Sequence, residues 1–221
     1  MHHARLPKIF QPHSSNDLIR LGKDNDGGYI VVKEDVEKTE RLICFGVGQD
    51  WSFEVDFLKI NNCPIDAYDA NSTIDSKHVS FFKDSVKQIR QNVSKNNIET
   101  ILKECNNVFL KCDIEGCEYE ILDSLIRNTN KFTGIVIEFH DIGKHDNFDN
   151  LLNFIGKMNQ RLVHLHVNNY FYYKAPDRNI PDIFEISLTS SNNIVYDPEK
   201  TLPIDLDMPN NPNDEQFYLT F

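Results

Sequence analysis

Val108-Phe109-Leu110-Lys111-Cys112-Asp113-Ile114-Glu115-Gly116-Cys117-Glu118 passes from an apolar run to three carboxylates, and a helical pattern follows over 118–128. That is the signature of a buried strand whose C-terminal tip opens into a site. In open α/β sheets ligands sit just beyond the carboxyl ends of the strands. Asp113, Glu115 and Glu118 crowd like charges within six residues. Such crowding is costly unless something positive is bound there: a cationic cofactor, a metal ion, or both.

Working outward, residues 41–48, 65–69, 108–113, 134–139, 162–167 and 183–189 read as strands, with a further short strand at 79–82. Residues 51–61, 84–104, 118–128 and 148–158 carry helical spacing. Upstream, Asp24-Asn25-Asp26-Gly27-Gly28-Tyr29 is a loop entering a strand or hairpin. Alternating strands and helices predict an α/β fold with a mostly parallel, doubly wound sheet. The connection 168–182 has no helical periodicity, so an antiparallel last strand is expected. We expect a single domain over 1–221: a lead-in or cap to residue 40, a core sheet over 41–190 and an ordered tail over 191–221.

The chain has 221 residues, 40% of them hydrophobic and 26% charged, which suits a folded domain with a real core. A net charge of −11 disfavours nucleic acid and anionic lipid as partners. No apolar run reaches the ~20 residues of a membrane span, and the opening Met1-His2-His3-Ala4-Arg5-Leu6 lacks a signal-peptide core. The cysteines, 44, 63, 105, 112 and 117, are odd in number with no CxxC pair, so reduced thiols and a cytoplasmic location are expected.

Cys44-Phe45-Gly46-Val47-Gly48-Gln49-Asp50 closes the first core strand ahead of a helix. Its glycines let backbone approach a ligand. Asp69 ends the next strand 21 residues after Gly48, where an acid can take the ribose hydroxyls of a nucleoside cofactor. NAD and S-adenosylmethionine both suit this geometry. A dinucleotide fold wants a third glycine at position 51, which is Trp51, and clustered acids suit a sulfonium better than a pyrophosphate.

The segment 110–118 resembles the Leu-Lys-x-Asp-x-Glu-Gly-x-Glu signature of the FkbM-type S-adenosylmethionine-dependent methyltransferases. Asp24 to Tyr29, Glu138-Phe139-His140, His164-Leu165-His166-Val167-Asn168-Asn169 and Leu206-Asp207-Met208-Pro209-Asn210-Asn211-Pro212 are similar to further pieces of that family. The resemblance implies a Rossmann-like class I methyltransferase fold, S-adenosylmethionine as cofactor, and an O-methyltransferase of bacterial surface-polysaccharide or natural-product tailoring. The substrate would be a small-molecule sugar, nucleotide-sugar or glycan. The chain departs from the common acid-x-Gly-x-Gly-x-Gly loop: Cys44 stands at the acid and Asp50 at the third glycine. Another acid must then hold the methionine ammonium, Asp26 or Asp113.

The expected cofactor contacts are Asp26, Gly28, Tyr29, Phe45, Gly46, Gly48, Asp50, Asp69, Ala70 and Asp113. The expected catalytic residues are His140 as general base, with Asp113, Glu115 and His166. Asp113, Glu138 and His140 would share any divalent metal, Mg or Mn. Glu118 reads as a helix N-terminal acid, His164 as a core histidine, and residues 170–173 as an aromatic cluster beside the site. The competing functions are a nicotinamide-dependent oxidoreductase and a noncatalytic glycan-binding protein.

Overall fold

The computed structural model describes residues 2–74, 81–82, 84–144, 146–170, 172–175 and 178–221. Thirteen strands are described: β1 (His2–Arg5), β2 (Leu18–Leu21), β3 (Tyr29–Val32), β4 (Arg41–Phe45), β5 (Ile65–Tyr68), β6 (Val86–Ile89), β7 (Val108–Cys112), β8 (Phe132–Phe139), β9 (Arg161–Val167), β10 (Tyr172–Ala175), β11 (Arg178–Pro181), β12 (Phe184–Thr189) and β13 (Phe217–Thr220). Seven form the central sheet in the order β6-β5-β4-β7-β8-β12-β9. β12 runs antiparallel to both neighbours, and the β4, β5, β6, β7 and β8 pairings are parallel. This is the expected Rossmann-like, mostly parallel doubly wound sheet with an antiparallel last strand.

Strand alternation divides the core. Ile43 and Phe45 of β4 face one side with Leu110, Cys112, Ile135 and Ile137, where the helices Ile98–Leu102, Leu122–Arg127 and Asn147–Lys157 pack. Leu42 and Cys44 face the other side, toward Phe53 and Phe57 of the helix Ser52–Ile60. The hairpin of β2 and β3 covers that same side through Leu21, Tyr29 and Val31. All eight residues of β8 are buried, Thr133 and Glu138 included, and its centre, Ile135-Val136-Ile137, is the apolar run legible in the sequence.

Three expectations differ. Residues 84–104 are not one helix: β6 occupies Val86–Ile89, and the helix is confined to Ile98–Leu102. β6 is a sheet edge, so its Val-Lys-Gln-Ile sequence needs no continuous apolar face. In the short strand expected at 79–82, positions 79 and 80 lie outside the described residues, and Phe81 and Phe82 are helical. The tail contains β13, which pairs in parallel with β1. The connection after β9 is the β10–β11 hairpin. Phe171 and the side chains of residues 172 and 173 lie outside the description, which leaves Tyr170 of the aromatic cluster. No described helix is long and apolar enough to cross a membrane.

Candidate functional site

The tips of β4, β7 and β8 converge on a cavity of about 600 Å³. Its walls include Asp26 and Tyr29 from the hairpin side, Gly48 and Asp50 from the glycine loop, and Asp113, Glu138 and His140 from the strand tips.

The glycine loop is tied to both neighbouring strands. The Gly46 N–H donates to the Tyr68 carbonyl at 3.0 Å, and the Asp113 N–H donates to the Phe45 carbonyl at 2.8 Å. Gly46 has φ +72°, and a Cβ there would overlap the Asp113 carbonyl oxygen. Position 46 therefore requires glycine for two independent reasons. Asp69 Oδ2 accepts the Val47 and Gly48 N–H groups at 3.1 and 2.9 Å, and Oδ1 accepts those of Asn71 and Ser72 at 2.7 and 2.9 Å. Burial opposes ionisation of Asp69, yet these four backbone donors hold its carboxyl below the ordinary value. Asp69 thus clamps the glycine loop onto the tip of β5.

Cys44, at the loop's missing acid, is fully buried. A carboxylate reaches its surroundings from elsewhere: Glu54 of the helix Ser52–Ile60 lies beside Cys44 and pairs with Lys111. Burial, then Glu54, pushes the Cys44 thiol well above its ordinary value, which fits packing rather than nucleophilic chemistry. Trp51 is fully buried against Phe82 and donates Nε1–H to the Thr73 carbonyl. Its bulk fills the space a third loop glycine would leave open.

His140 sits at the centre of the acids. Its Nδ1–H donates to Glu118 Oε1 at 3.1 Å. Its Nε2 stands 3.5 Å from Glu115 Oε2 and 3.9 Å from both Asp113 Oδ1 and Glu138 Oε1. Burial lowers the imidazolium's pKa, but the Glu118 hydrogen bond and the surrounding carboxylates prevail and raise it to about 9. Burial pushes the Asp113 carboxyl up to about 6, against the pull of Lys111 and His140. Asp113 Oδ1 is buried with no hydrogen-bond partner among the described residues. Glu138 is held on both oxygens, by the Tyr29 O–H at 3.1 Å and the Asn168 amide at 3.0 Å. Burial, then Glu185 and Asp113, pushes its carboxyl well above the ordinary range.

The expected residues divide accordingly. Asp26, Tyr29, Gly48, Asp50, Asp113, Glu115, Glu138 and His140 line the cavity. Phe45 is in the core, packed edge-on against Tyr68. Gly28 is buried with its Cα facing the Arg20 guanidinium and the Lys23 carbonyl. Gly46, Asp69 and Ala70 belong to the loops behind the wall rather than to the wall itself. His166 lies away from this cavity: Asp207 engages Nδ1 at 2.7 Å and Asn210 engages Nε2 at 3.0 Å. Both ring nitrogens are therefore committed to the tail. Glu118, read as a helix-start acid, is buried and also accepts the Ile114 and Gly116 N–H groups, so it fixes both the imidazole and the acidic turn. Its sequence signal was its place as the last acid of the signature over 110–118. Glu54 had no sequence signal that marked it as part of the site; Asn168 and Asn210 lie in segments similar to the family, but no role was read for either.

The sequence pattern described as the methyltransferase FkbM domain matches residues 14–162. No curated protein matches the chain. Among solved structures, an rRNA methylase from Streptococcus thermophilus is similar at 13% identity over 71% of this chain and 90% of that one, with a TM-score of 0.42. Precorrin-6y C5,15-methyltransferase from Geobacter metallireducens is similar at 14% identity over 72% and 86%, with a TM-score of 0.45. The fibrillarin pre-rRNA processing protein of Methanococcus jannaschii is similar at 10% identity over 70% and 68%, with a TM-score of 0.43.

Proposed function

Because the chain belongs to the FkbM methyltransferase family, and so is an S-adenosylmethionine-dependent methyltransferase, we propose that its acceptor is a hydroxyl of a sugar or other small polar metabolite. Bacterial surface-polysaccharide or natural-product tailoring is the setting this reading favours. The observation that carries it is His140 Nε2 facing the unpartnered Asp113 Oδ1 across 3.9 Å at the cavity wall. A proton acceptor and a carboxylate thus stand together beside the glycine loop.

The glycine loop would hold the cofactor, with Asp69 and Ala70, behind the wall, on the adenosine side and Asp113 on the sulfonium side. When bound, S-adenosylmethionine would supply a methyl group to the acceptor oxygen, the electron pair of the broken carbon–sulfur bond remaining on sulfur. Alignment of oxygen, carbon and sulfur supplies much of the acceleration. The hydroxyl proton passes to His140 Nε2, and Glu118 holds the ring through Nδ1. A sulfonium placed against the same carboxylates competes with the imidazolium for them and so lowers its pKa toward the neutral form that a base needs. Tyr170, 47% exposed on the cavity wall, offers a face for a sugar ring.

A second reading rests on the same facing pair. Asp113, Glu138 and His140 would hold a hard divalent cation, Mg or Mn: Asp113 Oδ1 has no hydrogen-bond partner among the described residues, and His140 Nε2 stands 3.9 Å from it and from Glu138 Oε1, although the three ligand atoms that lie within 4.8 Å of one another belong to Asp113, Glu118 and His140. A bound ion there would acidify the acceptor hydroxyl, and His140 would then be a ligand rather than the base.

A surface of net charge −11 supports a small acceptor over a nucleic acid. Calorimetric titration of S-adenosylhomocysteine, with and without chelator, followed by methyl transfer to a panel of sugars, tests the reading. Micromolar binding with transfer to an oxygen supports it, and chelator-sensitive turnover selects the metal form. Intrinsic NADH binding without S-adenosylhomocysteine binding would overturn it in favour of an oxidoreductase. Binding of neither would point to a noncatalytic protein.

A further inference from the structure

The tail motif Asp207-Met208-Pro209-Asn210-Asn211 lies far from the cofactor loops in sequence, yet it is fastened to the cavity wall. Asn210 is 2% exposed. Its Nδ2 donates to Glu185 Oε1 at 2.7 Å and to Asp26 Oδ1 at 3.0 Å, while its Oδ1 faces His166 Nε2 at 3.0 Å. Two carboxylate acceptors fix which end of the amide is which. Around it, Asn25 donates to the Pro209 carbonyl at 2.8 Å, and Asp207 accepts from His164 and His166. The loop carrying Asp26 is therefore held by the tail rather than by its own hairpin alone.

Asp26 lines the cavity, and so does Lys23, three residues earlier in the same loop. Lys23 pairs with Asp50 Oδ2 of the glycine loop at 2.9 Å and is 59% exposed. One acid and one base from a single short loop, beside Gly48 to Asp50, match a zwitterion. The amino-acid end of S-adenosylmethionine is one, and three directions lead away from its sulfonium centre. The adenosine runs toward Asp69, the acceptor approaches over the tip of β8, and the amino-acid end is left with the loop of Lys23 and Asp26.

We propose that Asn210 is a positioning residue of the cofactor site: it holds Asp26 against the cavity, where Asp26 takes the methionine ammonium and Lys23 its carboxylate. This rests on the cofactor placement proposed above and adds to it a part for the tail. Asp26 supplies the charge that Cys44 removes from the loop. Asn210 donates to both Asp26 and Glu185, two acids that repel one another, while His166 and Arg20 offset the charge of Glu185.

The experiment is calorimetric titration of the full chain with two probes. S-adenosylhomocysteine carries the amino-acid end, and 5′-methylthioadenosine lacks it. Loss of a charge-assisted hydrogen bond gives about ten-fold or more in affinity. Asp26→Ala and Asn210→Ala each weaken S-adenosylhomocysteine by about that factor and change 5′-methylthioadenosine by less than about two-fold. The double variant binds no more weakly than Asp26→Ala alone, since Asn210 acts through Asp26. Asp26 is exposed on the cavity wall, so Asp26→Ala remains informative if Asn210→Ala fails to fold. Unchanged S-adenosylhomocysteine affinity in Asp26→Ala overturns the proposal. So does an equal loss for both probes in Asn210→Ala, or penalties that add in the double variant. If the unsubstituted chain binds 5′-methylthioadenosine and S-adenosylhomocysteine equally, the zwitterion contact is wrong while the adenosine site stands. If it binds neither, the cofactor placement itself has failed and the inference falls with it.

Discussion

Lys111 Nζ stands 3.3 Å from Glu54 Oε1, and both side chains are buried. The ammonium also lies 5.7 and 5.6 Å from the ring centroids of Tyr29 and Phe53. Burial works against the charge, but Glu54, then Cys44 and Asp113, holds the Lys111 ammonium above its ordinary value. Glu54 Oε2 has no hydrogen-bond partner among the described residues. This pair carries the charge balance from the interior to the cavity, where Lys111 meets Asp113. Removing one member leaves the other buried and unpaired, which costs about 3–5 kcal/mol. Glu54→Ala and Lys111→Ala should each lose about that much in urea denaturation. The joint change Glu54→Leu with Lys111→Met should recover most of it. Penalties that simply add would show that the two residues act separately.

The two loop glycines make opposite predictions. At Gly46, positive φ combines with the overlap a Cβ would make with the Asp113 carbonyl, so the tip of β7 must move. At Gly48, φ is +59° and nothing lies within 4 Å of an added Cβ. Gly48→Ala should cost only the left-handed backbone term, about 1–2 kcal/mol, and keep its fold. Gly46→Ala should cost clearly more and lose S-adenosylhomocysteine binding. Thermal unfolding and calorimetry on both variants decide it, and equal behaviour would show that the loop is more pliant than its contacts imply.

What the sequence disclosed follows burial. β4, β7 and β8 are apolar because both faces are covered, and the acids at 113–118 mark where cover ends. β6 escaped notice because an edge strand of Val-Lys-Gln-Ile carries no such run. Nothing in the helical pattern over 51–61 singles out Glu54, since its partner is 57 residues away. Glu118 faces inward to His140 while Glu115 stays on the cavity wall, and the backbone separates them. Glu115 has φ +57° and is 84% exposed, and the turn it makes directs Glu118 inward to His140. His166 alternates onto the same face as His164, and Asp207 claims both. That pairing between β9 and the tail leaves no trace in either segment alone.

Asp69 offers a test of the glycine loop itself. Its four backbone hydrogen bonds link the loop to the tip of β5. Asp69→Ala releases all four donors and should weaken S-adenosylhomocysteine by at least about ten-fold. Its carboxyl is held low in the fold, so its contribution is present above the ordinary value of 3.8 and is lost as pH falls. Cofactor affinity should fall at acid pH in the unsubstituted chain and show less of that fall in Asp69→Asn. Unchanged affinity in Asp69→Ala would remove Asp69 from the cofactor site.

His140 ties stability and turnover to the same proton with opposite signs. Its folded-state value is raised to about 9 from 6.5, so the stability it supplies is complete below about 6.5 and is lost as pH rises through about 9. A general base works in the reverse sense, because only the neutral ring accepts the acceptor's proton. With the free enzyme's imidazolium titrating near 9, kcat/KM should climb through the neutral range toward that pH while the melting temperature declines. His140→Gln should flatten the stability profile and abolish turnover, yet bind S-adenosylhomocysteine as before, because Glu118 rather than the cofactor holds the ring. Loss of cofactor binding in that variant would show that His140 shapes the cofactor site and is not the base. A kcat/KM profile already level at pH 7 would show that the proton leaves by another route.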